Sequence, residues 1–317
     1  CMAAFLTLQI YGVYNYQFRM QGDANTDILA YSSPGEKTVP ANYRVAYLLN
    51  VFLIFPALHF QLPLKAVAEI YCINDAVFYL TVSLLIIFFT RRYDYASTVL
   101  ATPVLLLGIN FFFLGNALFI SGPLIILFVA VHQTVKEQAI RISLLFPCLF
   151  FVIWSSPISL FLLVVFLPIL YESLGDLYRD KWILLFMVLN ITSRLLVMDA
   201  YDHGKIGDLH YGLDFNYLKA ITKEFFTRFW FLAIITPAAI YFARKHNYLH
   251  EYRGLFVLPV LVGCCVANKA QFVDVNFTKF LYAGNLLLLT NGIRYSVKFY
   301  KNRGKAVITL LSMALLF

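Results

Sequence analysis

The stretch "QGDANTDILAYSSPGEKTVP", residues 21–40, places Asp23 and Asp27 four apart, just beyond the first apolar run. If 23–31 is helical, the two acids stand at i and i+4 and share a face, with the aromatic Tyr31 one turn further on. Carboxylates suit proton transfer and hydrogen bonding to a polar ligand. The Asn, Asp and Gly of the same stretch equally fit a solvated turn.

A second polar segment, "DAYDHGKIGDLHYGLDFNYLKAITKEFFTR", covers 199–228. Its Asp199, Asp202, His203, Lys205, Asp208, His210 and Asp214 mix acids, imidazoles and an amine. The acids and histidines could take a divalent cation, although Asp202-His203 and Asp208-x-His210 match no established ligand spacing. No cofactor is certain. Lys219, Lys223 and Arg228 come next at spacings of four and five, along one flank of a helix. They could meet lipid phosphate, either as a clamp or as headgroup contacts of an amphipathic surface helix. Arg194 lies inside the apolar run "WILLFMVLNITSRLLVM". Intramembrane charge is costly and usually faces a cavity or a partner; snorkelling to the interface is the alternative.

These residues sit in a very apolar chain. Of 317 residues, 61% are hydrophobic and 13% charged, and the mean hydropathy is +0.74. Soluble domains run at about 45–50% apolar and about 25% charged. The composition predicts an all-α, polytopic integral membrane protein. The net charge of +8 then reports topology and gives no reason to expect nucleic acid as a partner. Cys72, Cys148, Cys264 and Cys265 lie in or beside apolar runs without metal-ligand spacing, so they read as small core residues. The first run lacks the basic start and small-residue cleavage site of a signal peptide. Cys1 and the apolar ending "VITLLSMALLF" suggest a piece of a longer protein.

Twelve apolar segments fall at about 1–16, 45–60, 75–90, 97–107, 116–132, 139–154, 156–171, 182–198, 229–243, 254–267, 279–293 and 305–317. If 45–60 does not cross, one side collects Arg91, Arg92, Lys136, Arg141, Arg179, Lys181, Arg244, Lys245, Arg253 and five residues of 294–305, fourteen of the 25 basic residues. Short breaks on the other side, 109–116, 154–157 and 267–277, hold one Lys between them. Short loops carry the orientation signal, so the basic side, with the N-terminus, is expected to be cytoplasmic. The result is a single transmembrane domain over 1–317, with about eleven transmembrane helices. Two long outer segments, 17–74 and 199–228, hold nine of the 17 acidic residues. Long loops on a rigid scaffold are where function concentrates.

The layout resembles the GT-C superfamily of polyprenyl-phosphate-sugar-dependent integral membrane glycosyltransferases. "GDANTDILAY" looks like that family's acidic motif after the first helix. The stretch from "VPANYRVAYLLNVFLIFP" to "FFTRRYD" looks like the family's next elements: surface-lying helices in the first outer loop, a second crossing and a cytoplasmic basic pair. The likeness covers roughly the first 170 residues. It implies a transferase that moves a sugar from a lipid-linked, lipid-phosphate donor at the outer membrane face. Asp27, or else Asp23, would be the base that takes the acceptor proton, and the other acid would bind sugar hydroxyls. Tyr31 would stack on the sugar, and Arg194, Lys205, His203, Lys219 and Arg228 would bind substrate or its departing phosphate.

Two other functions stay open. One is a non-catalytic membrane subunit anchoring a larger complex with partner subunits; the other is a lipid-linked substrate transporter. A transporter should show repeat symmetry, and the sequence has no internal repeat. It also lacks a phosphate-binding Gly-rich loop and an HExxH helix, which argues against an ATPase or a zinc-dependent membrane protease.

Overall fold

The computed structural model describes residues 2–19, 45, 48–49, 52–105, 117–155, 159, 163, 180–197 and 286. The chain partitions into two compact units, Cys1–Leu163 with Ser173–Val197, and Val164–Glu172 with Met198–Phe317. Apart from Leu286, the described residues belong to the first unit. Among them every regular element is a helix: α1 (Met2–Tyr14), α2 (Tyr16–Arg19), α3 (Ile54–His59), α4 (Leu64–Thr90), α5 (Tyr93–Leu105), α6 (Ala117–Thr134), α7 (Gln138–Ile153) and α8 (Lys181–Leu196).

The 27-residue α4 organises this unit. At 1.5 Å per residue it is about 40 Å long, more than the ~30 Å hydrocarbon core of a bilayer. Its most apolar window has a mean hydropathy of 2.0, so α4 is long and apolar enough to span a membrane. Val67, Tyr71, Asn74, Val82 and Ile86 face inward at helical spacing. Ile73, Val77, Leu84 and Phe88 form an exposed stripe, Leu84 at 61% and Phe88 at 78%.

Where apolar runs suggest a segment at 75–90, the helix begins eleven residues earlier, at Leu64. The reason is the chemistry of the added turns. Lys65 and Glu69 pair at i,i+4, while Asn74 and Asp75 are satisfied by neighbouring elements. These polar residues lower hydropathy without breaking the helix. Residues 64–74, expected within the first outer segment, are therefore helical.

The run 45–60, expected not to cross, contains α3. Its six residues extend about 9 Å. The end of α3 is a Schellman motif: Leu62 N–H donates to the Ala57 carbonyl and Gln61 N–H to the Leu58 carbonyl, with Gln61 left-handed at φ 51°. Pro63 then stands before the first turn of α4. The reversal folds α3 back onto the start of α4, where Ile54, Ala57, Val67, Ala68, Tyr71 and Cys72 make one buried cluster.

At the far end of α4 the chain turns tightly. Arg91 is left-handed, and its N–H closes on the Ile87 carbonyl. The Thr90 hydroxyl accepts from the Arg92 N–H. Arg92 then grips Asp94 with two hydrogen bonds, of 2.9 and 2.6 Å, and lies over the Tyr95 ring. Those bonds to Asp94 push the Arg92 guanidinium still further up from its already high pKa. α5 returns antiparallel, with the Ser83 hydroxyl donating to the Ala96 carbonyl.

The remaining helices are placed by their ends. Tyr95, at the start of α5, donates to Gln133 at the end of α6 at 2.7 Å. The α6–α7 turn is short, and the hydroxyls of Ser121, Ser155 and Ser159 form a buried cluster at the other end of that pair. At the turn end, the Asp180 carboxylate meets His132 of α6 and Arg141 of α7. Phe146 stacks on Phe186 at 4.2 Å, and Trp154, just after α7, reaches Asn190 of α8. α7 and α8 are thus parallel neighbours. Arg92, Lys136, Arg141 and Lys181 share one end of the bundle, the clustering expected of the basic breaks. Pro103, Pro123 and Pro147 sit inside α5, α6 and α7. An interior Pro costs about 3 kcal/mol in a helix.

Candidate functional site

The site is built from the corner where α1, α2 and α4 meet. α1 turns its buried Phe5, Gln9 and Gly12 inward at spacings of four and three. Phe5 packs against Tyr79, so α1 runs antiparallel to α4. The chain bends at Asn15, whose side chain donates to the Tyr11 carbonyl, and α2 carries Arg19 back over the bundle.

Arg19 is fully buried. Its Nη1 donates to the Gln9 Oε1 at 2.9 Å, and its Nη2 to the Asp75 Oδ2 at 2.8 Å. The neighbouring residue on α4, Asn74, works on a different part of the chain. Its Oδ1 accepts from the Leu53 N–H at 3.0 Å, and its Nδ2 donates to the Leu49 carbonyl at 2.8 Å. A buried backbone needs such partners, and the Asn amide can give and accept at once.

The consequence is topological. Arg19 and Leu49 are held by Asp75 and Asn74, consecutive residues of the same helix. The sequence between them contains Asp23, four residues beyond Arg19, and Asp27, eight residues beyond it. Asp23, Asp27 and Tyr31 themselves lie outside the described residues, as do His203, Lys205, Lys219 and Arg228. The acids and histidines of 199–214 considered for a divalent cation also lie outside them. Among the described residues no group of three or more His, Cys, Asp or Glu could hold a metal ion.

Arg194 is described. It is 1% exposed, near the end of α8, with its guanidinium carbon 5.8 Å from the centroid of the Trp154 ring. Its charge is therefore held inside the protein, over an aromatic face, and does not reach out along the surface. Trp154 is fixed in turn by its Nε1–H donating to Asn190. Cys72 and Cys148 are free and buried, the placement expected of small core residues.

Sequence reasoning passed over Gln9, Arg19, Asn74 and Asp75. Hydropathy put Arg19 and Asp75 at segment edges, where charge looks solvated. The available signal was an opposite-charge pair, one member near the edge of each of two apolar segments; buried charges are paired.

Comparison with protein-family models, with curated proteins and with solved structures finds no match to this chain.

Proposed function

We propose that the chain is a multi-pass membrane protein of about eleven crossings that transfers a sugar from a lipid-phosphate donor at the outer face, in the manner of a GT-C glycosyltransferase. The observation that carries this reading is the double hold on α4: Arg19 on Asp75, and Leu49 and Leu53 on Asn74. Arg19 and Leu49, the described residues on either side of Asp23 and Asp27, are thus held side by side on α4. The membrane setting is supported by an inversion of ordinary burial. Arg19 and Asp180 are inside, while apolar stripes on α4 and α8, among them Leu84, Phe88, Leu189 and Leu196, face outward.

In this reading one acid of the loop takes the acceptor proton as the anomeric carbon leaves its lipid phosphate. Cations on the same face, Arg194 or Lys205 first, neutralise that phosphate. The buried Arg19–Asp75 pair does no chemistry and sets where the loop starts. The experiment is turnover by the purified chain in liposomes holding a polyprenyl-phosphate sugar. Release of polyprenyl phosphate, dependent on an acceptor, is the expected result.

A second reading, a non-catalytic membrane subunit, is favoured by one observation. Asp75 and Asp180, the carboxylates held within the helix bundle, are each engaged by a cationic partner, as structural charges would be. No turnover with any lipid-linked sugar would favour it.

A further inference from the structure

The opposite end of the bundle has a feature that this reading does not use. Between the end of α6 and the start of α7 lies an open depression of about 510 Å³, lined chiefly by His132, Gln133, Thr134, Lys136, Gln138 and Arg141. We propose that it binds a phosphate group, either that of an anionic lipid headgroup or free phosphate.

Two unmet polar groups lead to this inference. The Thr134 Oγ1 and the Arg141 Nε are buried and have no hydrogen-bond partner among the described residues. Buried polar atoms are nearly always paired, and an orphan calls for a missing partner. Both of these can donate, and both belong to residues lining the same depression. A phosphate offers three strong acceptor oxygens and a charge of about −1.5 to −2.

The surrounding charge agrees. Lys136 is exposed in the turn. The N-terminus of the 16-residue α7 opens here, with no side chain capping it. Uncapped N–H groups and the helix dipole favour an anion. The acids nearby do not oppose it. Asp180 is not in the lining; its side chain is 1% exposed, and its two oxygens are taken by His132 and Arg141. Glu137 is exposed and also absent from the lining. The Asp180 contact holds the Arg141 Nη2, and the Nε has no partner among the described residues. Arg92 and Lys181 share this end of the bundle, where the expected cytoplasmic leaflet supplies anionic headgroups. The site does not depend on the sugar-transfer reading.

The test uses the full chain in phosphatidylcholine nanodiscs. Radiolabelled inorganic phosphate is titrated by equilibrium binding, with and without phosphatidic acid in the disc, and thermal melting is recorded in parallel. One saturable site per chain is expected for at least one probe. Lys136→Gln should weaken it about fivefold, the worth of one cation near a charged surface. Thr134→Val should weaken it about tenfold, as a lost hydrogen bond to a charged group does. Lys65→Gln, at the other end of α4, should change nothing. Arg141→Gln also strips a partner from Asp180, so the Lys136 and Thr134 variants decide the matter. Phosphatidic acid that displaces the label, or that alone raises the melting temperature, identifies a lipid headgroup. Phosphate binding untouched by phosphatidic acid identifies a soluble source. The proposal is overturned if neither probe binds saturably, or if both variants bind as tightly as the native chain.

Discussion

Asn74 and Asp75 are consecutive on α4 and hold the two ends of a single segment, Asp75 through Arg19 and Asn74 through Leu49 and Leu53. Because successive helical residues point about 100° apart, one turn of helix can receive both chain ends without crowding. The short α3 and its buried cluster with Val67, Tyr71 and Cys72 brace the returning strand of chain. The described residues that flank Asp23 and Asp27 in sequence are therefore both anchored to α4.

The ion pair should behave as a buried one. Removing a single partner leaves an uncompensated charge and costs about 3–5 kcal/mol, while replacing both with apolar residues is close to neutral. Asp75→Leu and Arg19→Met are each expected to lower the melting temperature of the purified protein sharply. The double variant should recover most of the loss. A double variant as unstable as the worse single one would contradict the pairing.

Asn74→Ala removes an acceptor and a donor from the returning backbone. The orphaned Leu53 N–H and Leu49 carbonyl should cost about 1–3 kcal/mol. The expected signature is local: faster proteolytic cleavage between residues 20 and 52, with helix content by circular dichroism unchanged. Asn74→Asp keeps only the acceptor and should fall between the two.

Gln61 carries a φ of 51° at the end of α3, a region that costs a side chain with a Cβ about 1–2 kcal/mol. Gln61→Gly should relieve this and raise stability by about 0.5–1 kcal/mol after the entropy of glycine is set against it. Gln61→Val should lower it. A melting temperature that falls on Gln61→Gly would mean that this corner is not left-handed.

The helical character of the described fold is legible in the sequence because long apolar runs separated by charged breaks favour helices. The ends near Arg92, Lys136 and Lys181 gather together, as the distribution of Lys and Arg suggests. Within the 45–60 run, Ile54–His59 form a helix of one and a half turns. The start of α4 is hidden because hydropathy scores Lys65, Glu69, Asn74 and Asp75 as solvated, while the fold pairs them. The Arg19–Asp75 contact joins residues 56 apart. No local periodicity reports such a contact; only the rule that buried charges find partners does. Arg194 stands out by type, but its stacking on Trp154 depends on the parallel packing of α7 and α8, which hydropathy does not encode.

Topology is testable on the same geometry. In a cysteine-free background, Tyr31→Cys is expected to react with an impermeant maleimide on intact cells. Tyr93→Cys should react only after permeabilisation. Labelling of Tyr93→Cys from outside would contradict the expected orientation.

The most direct measurement is the cellular glycan or lipid-linked sugar product in strains whose own copy is replaced by Asp27→Asn, Asp23→Asn or both. Asparagine keeps the shape and removes the base, so expression and membrane insertion should persist. Loss of a general base typically slows a reaction about 10²–10⁴-fold, and that loss is predicted for Asp27→Asn, or failing that for Asp23→Asn, and for the double variant. Unchanged product in all three would contradict the transferase account and leave the membrane-subunit reading in its place.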